Sequence, residues 1–279
     1  MSRQTKRTIK SIVVHLLAVV VTLLMLSPLT WVVSTSLRPL EDVIVVPPQI
    51  LPRVWTLSPY VEMWQRAPFL RYTLNSITVA VSTACIALLL SVLAAYAFVR
   101  FRFWGARALL MFVLVSQAIP GTSILLPLFR VIWSLGLIDT LVGLVIVYTG
   151  FAIPFCTWLL TGYFKSIPAE LEDAARIDGC SALRVLYTVV VPLSAPAIVA
   201  VWVFAFLVGW NEFLFAFIFT KENAPTIPVG MTISFFTQYQ SFWNQVSAAS
   251  IVFSTPPVLL FILLQRQFVR GLTTGAVKG

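Results

Sequence analysis

Six long apolar runs limit the kind of fold that this chain can adopt. A helix needs about 20 mostly apolar residues to cross the roughly 30 Å hydrocarbon core of a bilayer. The six runs cover residues 12–33, 73–99, 108–128 (interrupted by Pro120-Gly121), 141–163, 193–219 and 246–264. Because lipid satisfies no backbone hydrogen bonds, only helices or closed barrels cross it, and barrel strands would alternate polar and apolar residues. The runs therefore predict an all-α polytopic membrane protein with six transmembrane helices.

Composition and charge exclude several other classes of protein. Only 10% of the residues are charged, against about 25% in a soluble domain. The net charge of +9 comes largely from Lys and Arg near the ends of the apolar runs, as in membrane proteins, so we predict no nucleic-acid partner. Cys85, Cys156 and Cys180 have no paired spacing, and His15 is the single histidine, so we expect neither a disulfide framework nor a metal site.

The distribution of Lys and Arg predicts the orientation in the membrane. Thirteen of the 19 lie in segments 1–11, 100–107, 164–191 and 265–279, which favours an N-in, C-in topology. The first run is too long for a signal peptide and no small-residue cleavage site follows it, so it is expected to be retained. The sequence predicts three domains. Residues 1–72 form a first transmembrane helix with an ordered Pro-rich extracytoplasmic loop, residues 73–265 form a five-helix core, and residues 266–279 form a cytosolic tail.

Three glycines are evenly spaced in and near the fourth run. Gly136, Gly143 and Gly150 recur every seven residues. Small residues let helices approach one another closely, so this spacing predicts one face that packs inside the bundle.

A polar segment, residues 164–192, separates the fourth and fifth runs. Pro168 suits the first position of a helix, and Gly179 suits a left-handed cap at its end. Acidic side chains are favourable near a helix N-terminus. Four of the chain's ten acidic residues lie here, at Glu170, Glu172, Asp173 and Asp178. We therefore predict a short helix over 168–178, in the cytosol between spans four and five.

One face of this helix consists largely of small residues. At helical spacing it carries Leu171, Ala174, Ala175 and Asp178. Small residues allow a helix to seat deeply in a groove of another protein. An ordinary surface helix between two spans is the alternative interpretation of the same residues.

The spacing within the polar segment resembles a motif of one transporter family. Asp173-Ala-Ala, three residues, Gly179, nine residues, Val189, one residue and Val191-Pro192 resemble the EAA loop of binding-protein-dependent ABC importer permeases. Asp replaces Glu, and Val replaces Ile and Leu. The resemblance implies a coupling helix that docks in a cleft of a separate ATPase subunit. The residues that it assigns to this joint are Glu172, Asp173, Ala174, Ala175, Asp178, Gly179 and Pro192.

The C-terminal residues 271–279 are similar to the tail of a carbohydrate branch of that family, which resembles the smaller membrane subunit of the maltose importer. In that branch the tail reaches between two ATPase subunits. The resemblance implies ATPase contacts for Gly271, Thr273, Gly275 and Lys278. A frayed polar end is the alternative, as at many chain termini.

Trp210-Asn211-Glu212-Phe213, in the fifth run, resembles a recurrent stretch of sugar permeases. A carboxylate within a span costs about 2.5–3.5 kcal/mol on insertion scales, so Glu212 is expected to face the bundle interior, a partner or water. On a sugar path, Trp210 would stack on the sugar ring while Asn211 and Glu212 hydrogen-bond its hydroxyls. Alternatively, Glu212 lies near the outer surface and fixes packing between two permeases.

These features predict a permease subunit of an ABC importer, in the cytoplasmic membrane of a prokaryote, that moves a carbohydrate by ATP-driven alternating access. The sequence has no Gly-x4-Gly-Lys-Ser/Thr phosphate loop. We therefore expect no catalytic residues and no cofactor in this chain, with ATP and Mg²⁺ bound by partners. The expected partners are a second, different permease, two cytosolic ATPase subunits, an extracytoplasmic solute-binding protein, the carbohydrate and membrane lipid.

Three alternatives remain for the function. A secondary transporter driven by an ion gradient would carry ionisable residues in several runs, whereas Glu212 is essentially alone in them. A membrane enzyme would need a clustered nucleophile, base or metal set, and none is evident. An importer of a non-sugar solute, such as a glycerophosphodiester or a peptide, would share the loop pattern.

Overall fold

The computed structural model describes the backbone of residues 3–101, 103–236 and 241–276, and the side chains of residues 11–101, 103–236 and 241–265. The helices are α1 Arg3–Ser36, α2 Ser58–Arg66, α3 Phe69–Arg100, α4 Ala106–Val115, α5 Gly121–Ser134, α6 Leu141–Phe164, α7 Ala169–Ile177, α8 Ala182–Val185, α9 Val191–Leu193, α10 Ala195–Asn211, α11 Leu214–Phe219, α12 Ile227–Phe235 and α13 Trp243–Ala276. Two 3-10 turns, Leu40–Asp42 and Ser116–Ala118, and one π-helical turn, Leu186–Val190, complete them. No strand occurs within these ranges, and the predicted all-α class is confirmed for them.

Between four and six segments can cross a membrane. Four helical segments are long and apolar enough individually: Ser11–Ser36, Phe69–Arg100, Leu141–Phe164 and Trp243–Gln265. Two more qualify only as bent pairs, which are Ala106–Ala118 with Gly121–Ser134 and Ala182–Leu193 with Ala195–Asn211. The pairs bend by 102° and 87° respectively. The third and fifth runs are therefore not straight spans, although their composition alone suggests that they are.

Proline chemistry explains the first bend. Pro120 has no N–H to donate, and its ring disfavours helical geometry in the preceding residue. Ile119 is accordingly extended, with φ −76° and ψ 121°, after the 3-10 turn. Helix α5 then begins at Gly121 in a new direction.

The fifth run is broken at two places. Pro192 and Pro196 each remove a helical N–H donor, and the π-helical turn and a break at Ser194 accompany them. The second break is at Glu212, which is extended (φ −72°, ψ 128°) between α10 and α11. The backbone therefore leaves regular helix on both sides of α10.

The chain divides into two units, and the larger contains residues 70–230 and 256–279. Its buried cluster includes Leu144 and Tyr148 of α6, Ile132 of α5, and Phe215 and Phe219 of α11. Helix α6 therefore lies at the centre of this core.

Asp139 holds the loop before α6 against the loop after α11. Its φ of +58° is in the left-handed region, which Asp tolerates better than most residues. Its carboxylate accepts hydrogen bonds from the backbone N–H groups of Lys221, Glu222, Asn223 and Ala224 at 2.8–3.2 Å. Partial burial alone would raise the pKa of Asp139, but these donors outweigh it and lower the pKa below its usual value.

The smaller unit contains residues 1–69 and 231–255. Gln245 of α13 donates from Nε2 to Glu62 of α2 at 2.8 Å and accepts from Nε of Arg66 at 2.8 Å. The Arg66 guanidinium also lies 3.6 Å from the ring centroid of Phe242. Helix α2 of the Pro-rich loop therefore packs against the start of α13.

The three evenly spaced glycines do not form one packing face. Gly136 has φ +67° and lies in the turn after α5. A Cβ at Gly143 would collide with the carbonyl oxygen of Leu137, whereas one at Gly150 would meet nothing within 4 Å. The expectation of a single face is wrong because the seven-residue spacing crosses a loop, and only Gly143 is closely packed.

Candidate functional site

The polar helix α7 begins one residue later than predicted. It spans Ala169–Ile177, and Pro168 is its N-cap with φ −57° and ψ 132°, so Pro168 precedes the first helical position. Glu170 and Glu172 lie in the first turn, where the helix dipole favours negative charge.

The end of α7 has the predicted left-handed cap. Gly179 has φ +82° and follows Asp178, the C-cap. The Gly179 N–H donates to the carbonyl of Arg176 at 3.0 Å, and the Cys180 N–H donates to that of Ala175 at 3.0 Å. These two hydrogen bonds form a Schellman motif, which satisfies the last carbonyls and fixes where the helix stops.

Glu172 is directed into the protein rather than toward a partner. Its side chain is 1% exposed, and Oε1 accepts from Nε of Arg100, at the end of α3, at 2.6 Å. Tyr96 donates its hydroxyl to Oε2 at 3.2 Å. Nη2 of Arg100 also donates to the carbonyl oxygens of Phe164 and Ile167 at 3.3 and 3.1 Å. Glu172 is therefore occupied within its own subunit.

The other predicted residues of α7 form its exposed face. This face consists of Leu171, Asp173, Ala174, Ile177 and Asp178, with Ala175 half-buried beside it. Ile177 is 87% exposed and Leu171 is 47% exposed. Asp173 pairs at the surface with Nη1 of Arg176 at 2.9 Å. Leu171 and Ile177 therefore lie at the surface of the subunit.

Two parts of the predicted site lie outside α7. Pro192 is exposed in α9, beyond the π-helical turn. Of the tail residues, Gly271, Thr273 and Gly275 belong to the helical backbone of α13, which continues to Ala276. Lys278 lies outside the described residues.

Glu212 lies at the break between α10 and α11 and is partly buried there. Its Oε2 accepts from the Tyr148 hydroxyl at 2.6 Å and from the Ala216 N–H at 3.1 Å, and its Oε1 accepts from the Phe215 N–H at 3.0 Å. The carboxylate therefore caps the first turn of α11 and ties it to α6.

The two neighbours of Glu212 differ in exposure. Trp210 is 1% exposed, and its ring stacks on Phe206 with the centroids 5.5 Å apart and the planes at 16°. Asn211 is exposed at the end of α10. Asn211 therefore lies at the surface in this conformation, whereas packing covers the ring of Trp210.

A cavity of about 590 Å³ opens beside Glu212. Its polar lining is Ser116, Gln117 and Glu212, and its apolar lining includes Gly150 and Phe151 of α6. Ser116 and Gln117 lie at the first helix break and Glu212 at the last one. Discontinuous helices commonly line the solute sites of transporters. Across the described ranges, no group of three or more His, Cys, Asp or Glu residues could hold a metal ion.

Sequence reasoning missed the partners of both carboxylates. In the sequence, Arg100 indicates only the orientation of the chain in the membrane. Tyr96 and Tyr148 lie in apolar runs, and no motif marks them. The available signal was the hydroxyl of each tyrosine, because a buried phenol usually needs a hydrogen-bond partner. That signal indicates the need for a partner but does not identify it.

Comparison with known sequences gives long matches. Residues 87–274 match the family described as binding-protein-dependent transport system inner membrane component. The chain is 34% identical over 277 residues to the inner membrane ABC transporter permease protein YcjP of Escherichia coli K12, covering 98% of this chain and 99% of the relative. It is 33% identical over 277 residues to the trehalose/maltose transport system permease protein MalG of Thermococcus litoralis, with the same coverage.

A solved structure agrees with these matches. A chain from a bacterial ABC transporter involved in the import of the acidic polysaccharide alginate has a TM-score of 0.80 and 25% sequence identity. The match covers 96% of this chain and 99% of that chain. With the family match and the relatives, it establishes that this chain belongs to the binding-protein-dependent transport system inner membrane components, the ABC transporter permeases of the cytoplasmic membrane.

Proposed function

We propose that this chain is a permease subunit of an ABC importer for a carbohydrate, coupled through α7 to separate subunits that hydrolyse ATP. The relative named for trehalose and maltose and the structural neighbour named for alginate both support a carbohydrate as the solute. The chain would pair with a second, different permease, two cytosolic ATPase subunits that bind ATP and Mg²⁺, and an extracytoplasmic solute-binding protein.

The observation that carries this proposal is the exposed face of α7, ended by the left-handed cap at Gly179. Ala174 leaves the centre of the face shallow, and Leu171 and Ile177 offer apolar area that faces away from the subunit. Such a face can seat in a cleft of another protein and exclude water there. A cap with fixed hydrogen bonds keeps the orientation of the helix constant while it is pushed or pulled.

In the proposed topology, both bent pairs count as spans, which gives six crossings with both termini in the cytosol. Helix α7 then lies on the cytosolic side, where ATP is available. Residues 1–72 would form the first span and an outer cap, residues 73–265 the transport core with its EAA-like loop at 164–192, and residues 266–279 a tail that contacts the ATPase subunits.

The cavity beside Glu212 is the proposed solute path. Ser116, Gln117 and Glu212 supply polar groups in an otherwise apolar wall, and exposed Asn211 continues from α10. A volume near 590 Å³ is within the range of small-molecule sites. Because protein donors already occupy the Glu212 carboxylate, we infer that it shapes the wall. Gln117 donates its side-chain N–H to the carbonyl of Phe151 at 2.9 Å, so its Oε1 and the exposed Asn211 are the more available sugar contacts. Trp210 supports this wall from its buried side.

The test is the ATPase activity of the chain co-purified with its neighbouring permease and ATPase subunits. Activity is measured with and without the solute-binding protein, which is loaded in turn with maltose, trehalose, an alginate oligosaccharide, a glycerophosphodiester and a peptide. Stimulation by one loaded binding protein, together with uptake of that sugar into proteoliposomes, is the expected result. It would identify the solute and support the importer function together.

Two outcomes would contradict the proposal. Absence of a co-purifying ATPase subunit would remove the coupling role proposed for α7. Stimulation by a glycerophosphodiester or a peptide, with none of the sugars active, would keep the importer and overturn the carbohydrate assignment.

A further inference from the structure

We propose that Glu172 is a positioning residue that locks α7 to α3 and α6, and that it does not contact the ATPase. The inference rests on the coupling function proposed above. It assigns Glu172 a role different from that of the exposed residues around it, although all of them belong to one acidic segment.

Both oxygens of the Glu172 carboxylate are occupied from inside the subunit. Oε1 lies 2.6 Å from Nη2 and 2.6 Å from Nε of Arg100, and Oε2 accepts from the Tyr96 hydroxyl at 3.2 Å. Nη2 of Arg176, one turn along α7, lies 3.7 Å from Oε2. The strongest contacts therefore cross from α7 to α3, and they leave no open side from which a partner could reach the carboxylate.

The four acidic residues of this segment divide into two groups. Glu170, Asp173 and Asp178 are exposed, whereas Glu172 is 1% exposed. An acidic residue on a docking face has no reason to be buried in its own subunit. The three exposed carboxylates are available to a partner, and the fourth is committed to the fold.

Arg100 connects Glu172 and α3 to a third element, α6. The same guanidinium that pairs with Glu172 donates to the carbonyl oxygens of Phe164, at the end of α6, and Ile167, in the linker before α7. The C-terminal ends of α3 and α6 and the first turn of α7 therefore share one cation. Phe164 and Ile167 are themselves buried, so water has little access to these contacts.

This arrangement lets a displacement of α7 reach the transport core. Separating a buried ion pair leaves an uncompensated charge in a dry environment, which is strongly unfavourable. When an ATPase moves α7, the ends of α3 and α6 must therefore move with it. Helix α6 also carries Gly150 and Phe151 of the cavity wall, so the lock connects the docking face to the solute path.

The test separates docking from transmission in the purified full complex. The variants are E172M, E172Q, R100M and the double variant R100M/E172M, with E222Q as the matched control because Glu222 is an exposed carboxylate outside α7. Two quantities are measured in proteoliposomes with maltose or trehalose, whichever stimulates the wild-type complex. They are the amount of ATPase subunit that stays bound and the sugar moved per ATP hydrolysed.

We expect each single variant to keep its ATPase subunit and to move roughly tenfold less sugar per ATP, in line with common coupling strengths between sites. The double variant should recover part of the ratio, since an apolar pair of similar size can replace a buried ion pair but supplies no donor to the carbonyl oxygens of Phe164 and Ile167. E222Q should behave as wild type. Rescue by the double variant distinguishes positioning from general damage, and E172Q carries the test if E172M fails to fold.

The outcomes that overturn the lock are distinct from those that overturn coupling itself. A wild-type sugar-to-ATP ratio in E172M and E172Q would show that the lock transmits nothing. Loss of the ATPase subunit in E172Q but not in R100M would make Glu172 a docking contact and leave the coupling function intact. Failure of the double variant to recover would show that the Arg100 pairing is not the relevant contact. A wild-type complex without an ATPase subunit would instead remove the proposed function.

Discussion

The roles of Glu172 and Glu212 are set by the donors that surround them. Both lie in stretches that resemble functional motifs. The resemblances assign Glu172 to an ATPase contact and Glu212 to a sugar path. In the structure Arg100 occupies the first, and Tyr148 with two backbone N–H groups occupies the second. A carboxylate that is paired within its own subunit fixes the positions of the elements that it joins. Its exposed neighbours are the residues that remain available for contacts with other molecules.

The backbone angle φ of Gly179 gives a prediction about transport. An added Cβ would meet nothing within 4 Å, so the cost of Gly179→Val is the left-handed conformation itself, about 1–2 kcal/mol. We expect the complex to assemble but sugar uptake in proteoliposomes to be lost, because the end of α7 is displaced. Gly179→Asn, which tolerates this conformation, should retain most of the uptake.

Gly105 provides the matched control for that prediction. It has φ +83° and equally open surroundings, but it lies in the turn before α4. Gly105→Val should therefore impose the same strain without stopping uptake. Full uptake by Gly179→Val would remove the coupling role of this cap.

Asp139 gives a prediction about pH. Its pKa is lowered in the folded protein, so the stabilisation that its charge provides is complete above the unfolded value and is lost as pH falls through the folded value. Asp139→Asn keeps the tolerance for φ +58° but loses the charge, and it should cost about 1–2 kcal/mol at neutral pH. The measurement is the difference in melting temperature between the wild type and the variant in detergent.

That difference should stay constant from about pH 8 to pH 5 and shrink below about pH 4, where the usual pKa of Asp lies. Asp173→Asn is the control, because its ion pair is at the surface. A difference that is unchanged at pH 3 would show that the charge of Asp139 is not what holds the loop.

Among the secondary-structure elements, helix breaks rather than helix lengths define this structure. Three of them, at residues 116–120, at Ser194 and at Glu212, divide two apolar runs into shorter helices. Proline accounts for the first two, and the third depends on a carboxylate that replaces the missing helical hydrogen bonds of α11. The first and third breaks meet at the cavity, which no uninterrupted helix would create.

Packing at the start of α6 gives a prediction at this scale. A Cβ at Gly143 would collide with the backbone oxygen of Leu137, which cannot move without shifting the loop. Gly143→Ala should therefore destabilise the protein by about 1–3 kcal/mol, seen as a lower melting temperature. Gly162→Ala, on the same helix with nothing within 4 Å, should be neutral or slightly stabilising. Equal melting temperatures for the two variants would contradict close packing at Gly143.

The proposed function requires a mechanical connection across the molecule between the proposed docking face and the proposed solute cavity. Helix α6 meets both requirements, because its C-terminal end is tied to α7 by Arg100 and its middle lines the cavity. The cavity wall and the docking helix are therefore joined through one continuous helix and one buried ion pair.

A substitution that fills the cavity tests the path directly. Gly150 lines the cavity and has open space around it, so Gly150→Phe should place a ring in the path without disturbing the helix. We expect sugar uptake to fall at least roughly tenfold, while the ATPase subunit stays bound. Gly162→Phe, on α6 but away from this cavity, should transport normally. Normal uptake by Gly150→Phe would exclude this cavity as the path.

Features that depend on local chemistry can be predicted from this sequence alone. The long apolar runs predict helices that cross a lipid bilayer, and the predicted bounds of α6 agree with the structure to within one residue. The capped helix and its left-handed Gly179 follow from Pro168, the acidic first turn and the glycine. The family resemblance follows from spacing along one segment. Each of these inferences needs only neighbours in the chain.

Features that depend on residues far apart in the chain emerge only in the folded protein. The burial of Glu172 required Arg100 and Tyr96, and the capping role of Glu212 required Tyr148. The bends of the third and fifth runs and the cavity between them depend on how helices pack after a proline permits a break. The physical reason is that a side chain's charge and size are local properties, whereas its partners and its access to water depend on three-dimensional packing.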